Sequence, residues 1–398
     1  MSRSIRSSWR LFAVILSLAL VSTACGSDDD GGNNADDGDG GGNAKKYSIA
    51  YVGPKTGDAA NLGINILYGA QLAVKQFNAS QSDVKITLKE FDTQGAAAQA
   101  PAQLALYKDD ASILGIVGPA FSAETKAVIP ELQKAGLVMI SSSATNADLP
   151  NVVNPETIFH RALPDDKAQG AGIAQFLKEK HAGKSVYYID NGDDYGKPLA
   201  DGVRAVATAN GNPSKGNTSI NEKDDLFSAA VNAAQAAKSD VIFYGGYYAA
   251  AGKLSKQLSD KGVTATFITG DGSLDPGFLT NAGAGAEGNI VSCPCNLATE
   301  SSTGALKTFT NDYKAEFTKD PGTYSSEAFD AANILMKGIK AGNTTRPKLL
   351  AYVEGLGTYD GISKTIAFED NGNLKATTVY FFVVKNGKFA PLTNTDEL

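Results

Sequence analysis

Residues Ser112 to Asn146 read SILGIVGPAFSAETKAVIPELQKAGLVMISSSATN. Ser112 to Val117 is a short, nearly continuous apolar run that stops at Gly118-Pro119, the pattern of a strand buried on both faces. Ser122 to Ala135 follows as a helix, with Ser122 a natural N-cap. Leu137 to Ile140 is a second apolar strand, and it runs into the hydroxyl-rich turn Ser141 to Asn146. Strand, helix and strand at this spacing form a βαβ unit, which requires parallel pairing.

The same cadence extends in both directions. Upstream, Tyr47 to Val52 is a strand, broken by Gly53-Pro54. Asn65 to Asn78 carries apolar residues at a helical period, Val84 to Phe91 alternates as a strand, and Ala96 to Lys108 is helical. The rhythm restarts after Pro164. Helix Ala168 to Lys180, strand Ser185 to Asp190, helix Pro198 to Asn210 and helix Leu226 to Ala237 lead to strand Val241 to Tyr244, helix Ala250 to Lys261 and strand Ala265 to Thr269. Two such α/β units in tandem predict two Rossmann-like lobes with a cleft between them. Open α/β sheets bind ligands outside the carboxyl ends of their strands.

Five of the turns at those ends are chemically distinctive. Pro119 to Thr125 opens a helix, whose free N–H groups favour an anion. Ser141 to Asn146 offers hydroxyls and N–H donors. Asp190 to Gly196 (DNGDDYG), Gly245-Gly246-Tyr247-Tyr248 and Gly270-Asp271-Gly272 follow strands of the second unit. Hydroxyls and amides on one lobe suit a carboxylate, and Asp271 on the other suits an ammonium. Tyr195 and Tyr247 between them suit a small organic body. An amino acid has this layout.

The N-terminus carries a different message. Arg3, Arg6 and Arg10 precede an apolar run, Leu11 to Val21, which ends at Ser22-Thr23-Ala24-Cys25. This is the form of a secretory signal, and the run is shorter than the roughly 20 apolar residues that span a bilayer. Gly26 to Ala44 contains only Gly, Ser, Asp, Asn and Ala. Such a segment has no apolar surface to bury, and its repelling aspartates extend it. The expected order is a signal peptide at 1–24, a disordered acidic tether at 25–44 and a globular body beyond.

Composition narrows the function further. A net charge of −7, part of it in the Asp-rich tether, argues against nucleic acid, which demands a basic face. The body holds only His160 and His181, outside any triad or metal spacing, and it has no G-x-S-x-G, H-E-x-x-H or P-loop motif. No enzyme, metal or cofactor is expected. Cys293-Pro294-Cys295 lacks the two-residue spacer of a redox or zinc motif, and its state is open between a small disulfide loop and two thiols.

With Ile140-Ser-Ser-Ser-Ala-Thr-Asn146, Asp194-Tyr195-Gly196 and Phe243-Tyr-Gly-Gly-Tyr-Tyr248 in this order, the body resembles the periplasmic leucine/isoleucine/valine-type binding proteins, over essentially all of residues 45–398. The Cys25 neighbourhood resembles a bacterial lipoprotein box. The first resemblance implies the type I periplasmic-binding fold, with lobe 1 at 45–162 plus 296–360 and lobe 2 at 163–295 plus 361–398. Ser122, Ser143, Ala144 and Thr145 would hold the ligand's carboxylate and amine, Tyr195 and Tyr247 would close from the second lobe, and Asp271 would pair the ammonium, where the family often has Glu. Leu62 stands where relatives often carry an aromatic against the ligand, and Phe121 replaces a Cys. The implied protein is a monomer anchored to the outer face of the cell membrane through lipidated Cys25. It would deliver a small amino acid-like ligand to the permease of an ABC importer. A sensor built on the same fold, and an importer receptor for a non-amino-acid organic acid or amide, are the competing expectations.

Overall fold

The computed structural model describes residues 44–153 and 158–398. The expected signal, Cys25 and the tether up to residue 43 lie outside the described residues.

The first sheet is built from β1 (Lys45–Gly53), β2 (Val84–Asp92), β3 (Ile113–Val117), β4 (Val138–Ser141) and β5 (Phe159–Arg161), in the order β2-β1-β3-β4-β5. All of its pairings are parallel. Its helices are α1 (Ala60–Ser80), α2 (Ala100–Tyr107) and α3 (Ser122–Lys134). The second sheet repeats the plan with β6 (Val186–Asp190), β7 (Ser214–Ser219), β8 (Val241–Gly245), β9 (Thr266–Thr269) and β10 (Ile290–Cys293), paired in the order β7-β6-β8-β9-β10. The helices that accompany it are α4 (Asp166–Lys180), α5 (Gly196–Ala209), α6 (Ser228–Ala237), α7 (Tyr248–Asp260) and α8 (Pro276–Ala282). In each lobe the second strand lies outside the first, so the order reverses between β1 and β3 and between β6 and β8. These reversals are where doubly wound sheets open a crevice for a ligand.

The chain changes lobes three times. It leaves the first sheet after Arg161 and returns after Cys293, whose sulfur is bonded to that of Cys295. The open question of the Cys-Pro-Cys pair is thereby answered as a disulfide. On its return it forms α9 (Gly304–Phe317), α10 (Ser325–Lys340) and α11 (Arg346–Glu354). The Cα of Gly69 in α1 lies so close to α10 that a Cβ there would stand 2.1 Å from the Ser325 carbonyl oxygen, and only glycine permits that approach. The hairpin of β11 (Tyr359–Asp360) and β12 (Thr365–Ile366) follows.

The third crossing differs from the expected boundary at 360/361. Ile362 and Ser363 donate their N–H groups to Asp330 of α10, and Gly372 accepts the N–H of Arg161 from β5. Residues up to Leu374 therefore stay with the first lobe. The sheet changes only before β13 (Tyr380–Lys385), which pairs antiparallel with β10 and then with β14 (Lys388–Asn394). Asp330 sets this position by its buried carboxylate, an anchor that sequence pattern does not reveal.

Among the described residues the two large sheets have four edge strands: β2, β5, β7 and β14. Strand β2 carries Lys85, Lys89 and Glu90, while β5 is only three residues long. Strand β7 reads SKGNTS, without an apolar side chain, and β14 contains Pro391 opposite a shift in register.

Candidate functional site

All five distinctive turns lie at carboxyl ends of strands, and they face each other across the cleft. On the first lobe, Phe121 stands in extended backbone conformation just before α3, so the helix begins at Ser122 and Phe121 takes the cap position expected of Ser122. Glu124 accepts the Phe121 N–H at 2.8 Å. The Ser122 hydroxyl is left to bind another segment, and it accepts the Asn146 N–H at 3.1 Å. Ser141 and Ser143 donate their hydroxyls to the carbonyls of Pro119 and Ala120 at 2.7 and 2.5 Å, which ties the turn after β4 to the turn after β3.

The same β4 turn is fixed from below by Arg161, whose Nη1 donates to the carbonyls of Ala144 and Asn146 at 2.9 and 3.0 Å. Arg161 is fully buried, and desolvation lowers its pKa to about 10. The Thr145 carbonyl accepts the Asp166 N–H at 2.8 Å. Leu62, in the first turn of α1, is fully buried.

On the second lobe, Tyr195 ends the turn after β6. The start of α5 packs on the end of β8 through two glycines. A Cβ on Gly196 would lie 2.3 Å from the Gly245 oxygen, and one on Gly245 would lie 2.2 Å from the Gly196 oxygen. This close approach brings Tyr195 beside Tyr247, with ring centroids 5.2 Å apart. Phe121 reaches across from the first lobe to within 4.7 Å of the Tyr247 ring. The Tyr247 N–H and the Tyr244 hydroxyl both donate to Glu222, at 2.7 and 2.6 Å. Burial pushes the Glu222 carboxyl up to about 7. Gln94, Phe121, Asn191, Asp193, Glu222 and Tyr247 line part of a cavity of about 230 Å³ between the lobes.

Asp271 is the electrostatic centre. It is 1% exposed, and one carboxylate oxygen accepts the Tyr195 hydroxyl at 2.7 Å. The other accepts the Tyr324 hydroxyl at 2.5 Å. Tyr324 belongs to the first lobe, so phenols from both lobes hold one carboxylate. Desolvation raises the pKa of Asp271, and hydrogen bonds from Tyr324, Tyr195 and Gln169 oppose the rise. Asp166 lies near enough to raise its own pKa through the Asp271 charge, after the larger effect of its burial. Among the described residues no Lys, Arg or His pairs with Asp271, and no group of three His, Cys, Asp or Glu side chains could hold a metal.

The lobes also meet around this centre. Lys126 pairs with Asp194 at 2.6 Å, Asn61 donates to Asp275 at 2.9 Å, and Thr323 donates its hydroxyl to the Leu274 carbonyl.

Sequence reasoning missed Tyr324, Asp166, Arg161 and Glu222. Tyr324 follows Pro321-Gly322 in a loop, with φ at +71°, and no periodicity marks it. Asp165-Asp166 after Pro164 did carry a signal, the acidic start of a helix. In the structure Asp165 caps α4 by accepting the Ala168 N–H at 3.0 Å.

Comparison with known proteins agrees with this architecture. The chain is 27% identical over 354 residues to the Leu/Ile/Val-binding protein homolog 3 of Brucella melitensis, covering 87% of this chain and 93% of that protein. Its structure is similar to a leucine binding protein from Thermotoga maritima, with a TM-score of 0.81 at 25% identity over 87% of this chain and 98% of that one. The isoleucine complex of a branched-chain amino acid transporter substrate binding protein from Streptococcus pneumoniae matches with a TM-score of 0.78 at 26% identity, over 88% and 99% of the two chains. Residues 46–388 match the model of one family. With the repeated sheet order and the interlobe cleft, this match shows that the chain belongs to the periplasmic binding protein family.

Proposed function

We propose that this chain is an extracytoplasmic solute-binding lipoprotein, which captures a branched-chain or related amino acid between its lobes and delivers it to an ABC importer. The observation that carries the reading is Asp271: a buried carboxylate with two phenolic donors and no basic partner among the described residues. A charge buried without a counterion is costly, and a ligand ammonium supplies the missing cation. Ser122, Ser143, Ala144 and Thr145 bind the backbone of the ligand from the first lobe. Tyr195 and Tyr247 cover it from the second, with Leu62 and Phe121 bounding its side chain. The relatives that bind leucine or isoleucine support the ligand class. Cys25 is the anchor, and hinge closure around the ligand forms the surface that the permease recognises.

Thermal unfolding of the purified protein with a panel of amino acids and organic acids tests this reading. A ligand at 100 times its dissociation constant adds about 2.7 kcal/mol of stability, so leucine, isoleucine or valine should raise the midpoint. Asp271→Asn should weaken that binding by about 30-fold to several thousand-fold, the range for removing one member of a buried charged pair. Stabilisation only by carboxylates that lack an amine would remove Asp271 from the ammonium role.

A further inference from the structure

Lys364 sits in the hairpin of β11 and β12, and its ammonium lies 2.8 Å from the Glu327 carboxylate. With side chains 14% and 0% exposed, this is the most deeply buried ion pair among the described residues. The same Nζ faces the Ala162 carbonyl at 3.5 Å and the Pro294 carbonyl at 3.4 Å. An ammonium has three donors, and here three acceptors on three segments surround it.

The identity of those segments gives the arrangement its meaning. Ala162 is the first residue after β5, where the chain first leaves the first lobe. Pro294 is the first residue after β10, where the chain returns, and it is clasped between the bonded sulfurs of Cys293 and Cys295. Lys364 itself lies on the segment that leads to the third crossing. Glu327 is the third residue of α10, and its second oxygen accepts the Ser326 hydroxyl at 3.0 Å. Immediately before this helix stands Tyr324, whose hydroxyl meets Asp271 across the cleft. One side chain therefore links the strands that connect the lobes to the helix that presents an interlobe contact at the site.

Stability does not account for such a pair, because a buried ion pair is often no more stabilising than apolar residues of the same volume. What it supplies is geometry. Resting on the reading of lobes that close on a ligand, we propose that Lys364 is a positioning residue for capture: it ties the crossing segments just after β5 and just after β10 to α10, so that closure carries Tyr324 onto Asp271 in register.

Lys364→Met alone would strand a buried carboxylate and could unfold the protein, so the test replaces both partners. In the full-length Lys364→Met/Glu327→Gln variant, a spin label in each lobe reports the interlobe distance by double electron–electron resonance, and calorimetry measures L-leucine binding. The melting temperature should stay within a few degrees of the unaltered protein. The distance distribution of the ligand-free variant should broaden, and its affinity for L-leucine should fall about tenfold, since fewer molecules occupy the competent geometry. An unchanged distribution would overturn the proposal, whether or not affinity falls. If the unaltered protein binds no amino acid of the panel, the functional reading fails, while the width of the distribution still decides the role of Lys364.

Discussion

Asp271 receives a hydroxyl from Tyr195 of its own lobe and another from Tyr324 of the opposite lobe. The second bond exists only while the lobes meet, so it favours the closed arrangement directly. A hydrogen bond to a charged group contributes about 1.5–3 kcal/mol. Tyr324→Phe, which keeps the buried ring, should therefore weaken L-leucine binding about tenfold or more, with little change in the unfolding midpoint of the ligand-free protein. Equal affinity by calorimetry would show that the phenol does not contribute to closure. Asp271 was legible in the sequence because an apolar strand ends at it and glycines flank it. Tyr324 was not, because its place depends on α10 packing against α1 and on a left-handed backbone angle that its neighbours impose. Ser122 was legible in part: its position at the turn was correct, but its hydroxyl serves the β4 turn rather than its own helix.

The opening of α3 illustrates what an element adds. Glu124 holds the Phe121 N–H and is completely buried, and desolvation pushes its carboxyl up to about 7. Between roughly pH 4.5 and 7 the folded protein keeps a proton that the unfolded chain has released. The contribution of this group to stability therefore falls as pH rises through that window and is level above it. His160 acts in the opposite sense, because burial lowers its pKa to about 4 and favours the folded state as pH rises toward 6.5. Comparison with Glu124→Gln isolates the carboxyl. Urea unfolding at pH 5 and pH 8 should show the Gln variant gaining on the unaltered protein by on the order of 2 kcal/mol, and a constant difference would contradict the assigned shift. At this scale the sequence was readable where strands are apolar. Strand β7 escaped, since SKGNTS has neither alternation nor a hydrophobic side chain and exists because β6 offers it a hydrogen-bonding edge. Strand β5 escaped because it is three residues long.

For the whole molecule, the two lobes were legible because the β/α cadence occurs twice with a restart at Pro164, and the candidate site could be proposed because five strands end on distinctive turns. The third crossing was not, since residues 361–374 are held to the first lobe by Asp330 and β5 through contacts distant in sequence. Proposed anchoring through Cys25 makes a prediction at this scale. Cys25→Ala should shift the protein from the membrane fraction to the soluble one without altering its affinity for L-leucine, and retention in the membrane fraction would assign attachment to another element. The four edges of the two large sheets have a consequence beyond the fold. Unpaired rows of N–H and C=O groups template association between copies, and charge, brevity, polarity and proline each suppress it. Here β2, β5, β7 and β14 carry one such deterrent apiece. The body is thus suited to being crowded at high local density without polymerising through its sheets.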